Sequence, residues 1–406
     1  MNKESYISIK YLFLLIECGV ILFLLQTKTS FSQVDKNESS RLLIVGELLG
    51  KVAPEDISRL IQSNYYPVLR TNSEIKLDRV DSSPQQIVYQ VIYPNENYLN
   101  RPKQIVFKFF ESEYRLIAAI ITEEIDFAIT ESYEAAEEID NSTSSYTIHF
   151  RYPPPNFIKL IAYNNQHHIL KNEKIRRALT YAINRNNIFS RLLRQQAYLA
   201  DGPLSNESKF HTSGLDEYKF SPRKAIQLLQ NENWKDTNGD GILDRNGKPF
   251  QFSITYEKGV LLDEQLVTRI KIDWNKLGID VIRNPLFKSE IKKRLAQKNY
   301  DTILMNHLFE ENIESFEAFF KSTSKENILG YKNRTVDSYI DLYKIQAPST
   351  QKVLLQAIQK QINEDHPAAF LFFLWVDRYF VNRNKFTNFM DQKGLLLPFT
   401  EWNLKK

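Results

Sequence analysis

Residues 251–305 alternate short apolar runs with amphipathic stretches, and no other feature limits the fold as tightly. QFSITY (251–256) sets Phe252, Ile254 and Tyr256 at period two, the spacing of one strand face. Residues 262–277 set Leu266, Val267, Ile270, Trp274 and Leu277 at helical spacing and run into Gly278, which suits the left-handed turn after a helix. IDVI (279–282), a helix over 289–297 and DTILM (301–305) complete a βαβαβ run. Crossovers of this length join parallel strands, so the pattern predicts an α/β fold. It recurs upstream as IVFKFF (105–110), EYRLIAAIIT (113–122), IDFAI (125–129) and a helix over 131–138. Two such systems in 406 residues exceed one ordinary core and predict two lobes.

RLLIVGELL (41–49) reads as a first strand, and IVYQVIY (87–93) as another after a less regular stretch. Pro153, Pro154 and Pro155 exclude a helix interior or central strand and predict a crossover between lobes. FIKLIAYN follows as a strand. Next comes a helix whose Ile175, Ala178, Leu179, Ala182 and Ile183 form one apolar stripe. Arg176 and Arg177 fall off that stripe and are expected at solvent or a lobe boundary. A further helix opens with Ser221 as N-cap and Pro222 at its first position. A helix over 350–363 begins after Ser349, and AFLFFLWV (369–376) is a strongly apolar strand.

Residues 11–26 are almost wholly apolar, preceded by Lys3 and Lys10 and followed by Ser30 and Ser32. That is a secretory signal pattern, with cleavage expected after Ser32 and a periplasmic mature chain. A retained anchor is the alternative, but Glu17 interrupts the run, and an acidic residue at mid-membrane costs roughly 2.5–3.5 kcal/mol. Cys18 is the only cysteine, so cleavage leaves no thiol for disulfides, catalysis or metal binding. The net charge of +4 is small and its basic residues are dispersed, which gives no reason to invoke nucleic acid.

No catalytic signature is present: HExxH, CxxC, G-x-S-x-G, the P-loop and a strand-linked GxGxxG are all missing. No catalytic residue, metal or cofactor is therefore expected. Asp236, Asn238, Asp240 and Gly241 imitate a calcium loop, but Gly247 stands where the bidentate Glu belongs, so a structural turn is expected. His167 and His168 are adjacent, and on a strand they would face opposite ways. His366, at a helix end before Pro367, is read as a cap. The site argument is topological, because ligands of open α/β sheets sit beyond the carboxyl ends of the strands. Lys258 follows strand 251–256, and Asn306, His307 and Glu310 follow strand 301–305. A cation and an anion on neighbouring crevice loops suit a zwitterionic ligand with separated ends.

The block 172–250 carries NEKIRRALTYAINRNNIF, SPRKAIQLLQ and NWKDTNGDG in order. It resembles extracytoplasmic solute-binding proteins of family 5, which deliver oligopeptides and dipeptides to ABC importers. Residues 102–129, YDTILMN (300–306), NILGYKNRTVDSYI (327–340) and 367–389 resemble further segments of that family. The resemblance implies a two-lobed periplasmic-binding-protein-like fold of type II, cluster C-like, with mixed sheets flanked by helices. It implies a signal peptide at 1–32, a lobe I at 33–158, a lobe II at 159–375 and a return to lobe I at 376–406. Residues 50–86 are too few for the family's small extra domain, so the first lobe is read as shortened. In peptide binders the strand matching 300–305 leads to Gly-Trp-x-x-Asp, whose Asp neutralises the ligand amine. Here Glu310 takes the acidic position and His307 the Trp position. In dipeptide binders an Arg after the strand matching 251–256 holds the ligand carboxylate, and Lys258 stands as its substitute. The implied function is a monomeric receptor, not an enzyme, that binds peptide or a related small solute between its lobes for ABC permease subunits. The alternative is a degenerate member acting as a sensory or scaffold module without transport.

Overall fold

The computed structural model describes residues 42–48, 75–83, 85–95, 98–130, 132–151, 156–374, 377–390 and 397–405. The expected signal peptide, the triple proline and most of 50–86 lie outside them.

Two mixed sheets organise the chain. The first is built on three parallel strands, β1 (Leu42–Leu48) lying between β4 (Gln104–Phe110) and β5 (Phe127–Thr130). The hairpin β2 (Lys76–Ser82) and β3 (Gln86–Ile92) extends it past β4; β3 is the strand read at 87–93, whereas β2 falls in the stretch read as less regular. On the other side β15 (Asp377–Asn382) runs antiparallel to both β5 and β6 (Tyr146–Arg151), giving the order β2-β3-β4-β1-β5-β15-β6. One face buries Leu43, Ile87, Ile105, Phe107, Phe127, Tyr379 and Trp402. The other is covered by α1 (Glu113–Ile121) and α2 (Tyr133–Ser142), each N-capped by a serine, Ser112 and Ser132. Gly46 lets α1 lie close, since a Cβ there would stand 2.4 Å from Ile125 Cδ1 and 2.5 Å from Leu116 Cδ1.

The second sheet has the order β12-β11-β13-β7-β14-β8. Its parallel part is the βαβαβ run read from sequence: β11 (Gln251–Glu257), α5 (Leu261–Asn275), β12 (Asp280–Leu286), α6 (Lys288–Gln297) and β13 (Thr302–Leu308). Antiparallel β7 (Phe157–Tyr163), β14 (Ala368–Leu374) and β8 (Ala197–Leu199) complete it. One face packs under α3 (Glu173–Tyr181), α4 (Pro222–Asn231) and α5, with Phe252, Tyr163 and Trp274 in its core. The other packs under α7 (Ile313–Phe320), α8 (Arg334–Tyr343) and α9 (Pro348–Asp365), around Phe309, Phe316, Phe320 and Phe370. Helix α9 starts at Pro348, a residue suited to the first turn, rather than after Ser349. Short pairs β9 (Asp244–Arg245) with β10 (Lys248–Pro249), and β16 (Phe386–Thr387) with β17 (Asn403–Leu404), pin the loops. The chain passes from the first sheet to the second after Arg151 and returns after Leu374.

Arg176 corrects the expectation of a solvent or boundary position. It is 4% exposed and its guanidinium donates to four carbonyls, of Leu170, Lys171, Asp365 and His366. Helix α9 ends there with His366 in the left-handed region, and a planar fork of donors satisfies carbonyls that the helix cannot. The His366 ring reaches Thr180 Oγ1 at 2.6 Å, while its backbone N–H caps Ile362. His167 and His168 lie in a turn, not a strand, with ring centroids 4.3 Å apart. In the Asp/Gly turn, Asp236 accepts the N–H groups of Gly239 and Gly241, and Asp244 accepts from Thr237. The turn then packs against the end of α5, where Leu243 donates to Gly278.

Candidate functional site

The carboxyl ends of β4, β5 and β11 meet where the two lobes touch. Helix α1 starts three residues after β4, and α5 starts four residues after β11. Both therefore bring their N-termini, with positive dipole ends and first N–H groups that no carbonyl of the same helix can accept, to the same crevice. Glu113, first residue of α1 and 2% exposed, occupies the junction. One carboxylate oxygen accepts from Thr130 Oγ1 at the end of β5, and the other accepts the Leu261 N–H at 2.8 Å, across the boundary. In return the Glu113 N–H donates to the Gly259 carbonyl at 2.8 Å.

Behind this junction lies a second charged pair. Lys159 interrupts the apolar strand β7 and is 1% exposed, and its Nζ stands 2.5 Å from Asp263 Oδ1 in the first turn of α5. Two opposite charges so deeply removed from water are costly to desolvate, a cost that close pairing offsets. Arg378 of β15, 3% exposed, reaches from the first lobe to Gln196 of the second. Arg194 with Glu137 at 3.7 Å, and Gln265 with Glu134, also cross the boundary.

The structure separates the four residues read as binding groups. Strand β13 extends to Leu308, so Asn306 and His307 are strand residues with opposite faces rather than loop residues. Asn306 stands across from Lys159 in the antiparallel register, on the α5 side. His307 packs on Phe309 and Phe319 on the other face, and burial pushes its imidazole down to about 4. It is therefore neutral at physiological pH. Glu310 is exposed and accepts from Asn312 Nδ2 at 2.7 Å. Lys258 is exposed, with Nζ 4.9 Å from the centre of the Phe287 ring. These last two charges form no ion pair with each other among the described residues.

Glu113, Lys159, Asp263, Arg378 and Gln196 were not singled out from the sequence. Glu113 has a sequence signal, because Glu111, Ser112 and Glu113 directly follow the carboxyl end of strand 105–110. Lys159 had its own signal, a lone cation within FIKLIAY.

Residues 79–327, more than half of the chain, match the family model described as bacterial extracellular solute-binding proteins, family 5 Middle. The chain belongs to this family. Among curated relatives it is similar to the oligopeptide-binding protein AppA of Bacillus subtilis, with 30% identity over 222 residues, 52% of this chain and 40% of that protein. It is also similar to the nickel-binding periplasmic protein of Escherichia coli, with 23% identity over 197 residues, 48% of this chain and 38% of that one. The matches thus span less than half the length of these relatives. The solved structure of Bacillus subtilis AppA in complex with a nonapeptide superposes with a TM-score of 0.68 at 22% identity, covering 88% of this chain and 71% of that one. That likeness establishes the two-lobed fold of this family 5 member. Among its described residues, no helix is long and apolar enough to cross a membrane. Nor, among them, does any group of three or more His, Cys, Asp or Glu side chains gather as a metal site.

Proposed function

We propose that the protein is the solute-binding component of an ABC importer, holding a peptide or related small solute between its lobes for permease subunits. The observation that carries this reading is the convergence of α1, α5 and the strand ends of both sheets on one crevice with charged groups on both walls. The buried pairs hold these walls, the exposed Lys258 and Glu310 are left to meet a polar solute, and membership of family 5 supplies the functional class. The chain performs no chemistry in this reading. It acts as a monomer, exported to the periplasm after cleavage behind Ser32, with lobe boundaries near 158 and 375. Lys258 and Glu310 contact the charged ends of the solute from the crevice rim, and Asn306 lines its inner wall.

Thermal denaturation with defined peptides, dipeptides and nickel–histidine complexes tests this. A solute at a hundred times its Kd stabilises the chain by about 2.7 kcal/mol. Stabilisation by one class identifies the solute; no shift with any of them refutes the receptor reading and leaves the sensory or scaffold role.

A further inference from the structure

Helix α5 begins without a cap of its own. Val260 sits at its N-cap position, where Ser, Thr, Asp or Asn would normally accept one of the first N–H groups. The first N–H of the helix, on Leu261, is taken instead by Glu113 from the other lobe. The exchange is reciprocal, because the first N–H of α1 is taken by Gly259 of the second lobe. Thr130 holds the Glu113 carboxylate on its own lobe while it reaches across.

The surrounding surface is shaped for this approach. Gly259 has φ of +84°, and a Cβ there would stand 2.6 Å from the Glu111 carbonyl oxygen and 3.1 Å from Ser112 Cα. No side chain fits without moving backbone. Val260 and Leu261, each 4% exposed, are lodged among Leu116, Ile117, Ala135 and Ile139 of the first lobe. Apolar burial, one backbone–backbone hydrogen bond, one backbone–carboxylate hydrogen bond and flanking polar pairs therefore act at one seam.

We propose that this seam is a built-in latch between the lobes, with Glu113 as its key, that favours the closed arrangement independently of solute. The latch rests on the solute-binding reading only for its effect on affinity: closure that the chain supplies itself need not be driven by the solute.

The test measures the distance between lobes, not binding. Dyes at Asp140→Cys on the first lobe and Lys276→Cys on the second, both exposed positions, are placed in a Cys18→Ser background and followed by single-molecule energy transfer. Without solute, the parent is expected in one short-distance population. Glu113→Ala and Gly259→Val should each shift the closed-to-open ratio by roughly tenfold or more, which corresponds to about 1.4 kcal/mol. Glu113→Gln, which keeps the shape and an acceptor oxygen, should fall between them and the parent, and remains informative if the harsher variants fail to fold. A parent already open without solute, or a Glu113→Gln distribution identical to the parent, overturns the latch. Failure to find any solute would refute the receptor reading and leave these distances untouched.

Discussion

Replacing Arg176 with methionine should destabilise the second lobe far more than any surface substitution. The guanidinium lies at 2.8 Å from the carbonyl oxygens of His366 and Leu170 and 3.0 Å from that of Lys171, and also bonds the Asp365 carbonyl. Burial lowers its pKa to about 10, which still leaves it charged at neutral pH. Each hydrogen bond to a charged group contributes roughly 1.5–3 kcal/mol net, which would put four bonds at about 6–12 kcal/mol. That sum is too large, because removing the guanidinium also removes the cost of keeping it out of water. Two stranded buried carbonyls at about 1–3 kcal/mol each give a working figure of about 3 kcal/mol. Urea unfolding followed by the fluorescence of Trp234 and Trp274, both buried in that lobe, measures it. With a slope of about 3 kcal/mol/M, the midpoint should fall by about 1 M. Arg176→Lys keeps the charge but loses the planar fork, and should lose a large part of the same stability. A midpoint lowered by less than about 0.2 M in Arg176→Met would refute the carbonyl-capping argument.

Three other outcomes follow from the geometry. Gly46→Val forces a side chain into the space of Ile125 and Leu116, and should cost the first lobe roughly 1–3 kcal/mol, read as a lower melting temperature. His307 is held at about 4 by burial, whereas the unfolded chain takes up its proton near 6.5. The stability this contributes is full above 6.5 and is lost as pH falls towards 4, by up to about 3 kcal/mol. His307→Phe should flatten the stability–pH curve over that window; an unchanged slope would show that the ring is not buried. Lys159→Met leaves Asp263 without its buried counter-charge and should cost about 3–5 kcal/mol, with Lys159→Met/Asp263→Leu recovering much of it in a double-mutant cycle.

The regular part of the fold was legible because periodicity reports which face is buried. The 251–305 run and the serine-capped helix at Pro222 are seen close to where their spacing put them. Antiparallel β2 carries no apolar alternation to read, because every residue of it except Leu77 is exposed. Arg176 was misplaced because the helical stripe counts only apolar residues. A guanidinium buried to cap another helix's carbonyls leaves no periodic signal. The same blindness hid the crevice: Glu113 and Leu261 are 148 positions apart, and only the tertiary fold joins them. Val260 was the available hint, an apolar residue where a cap belongs.

The burial of the crevice charges separates groups that hold the walls from groups free to meet a solute. Lys159 and Asp263 lie against each other, and both Glu113 oxygens already accept hydrogen bonds. Recruiting any of them to a ligand would require breaking a buried interaction, at a cost of several kcal/mol. Lys258 and Glu310 are exposed, so engaging a solute there displaces mainly water. The two sets should therefore respond differently. Lys258→Ala and Glu310→Ala should weaken solute affinity while leaving the unfolding free energy of the solute-free chain within about 0.5 kcal/mol of the parent. Lys159→Met should lower that free energy before any solute is added. Isothermal titration alongside melting distinguishes them. If Glu310→Ala binds a solute with a free amine as tightly as the parent does, amine recognition does not reside in the loop after β13.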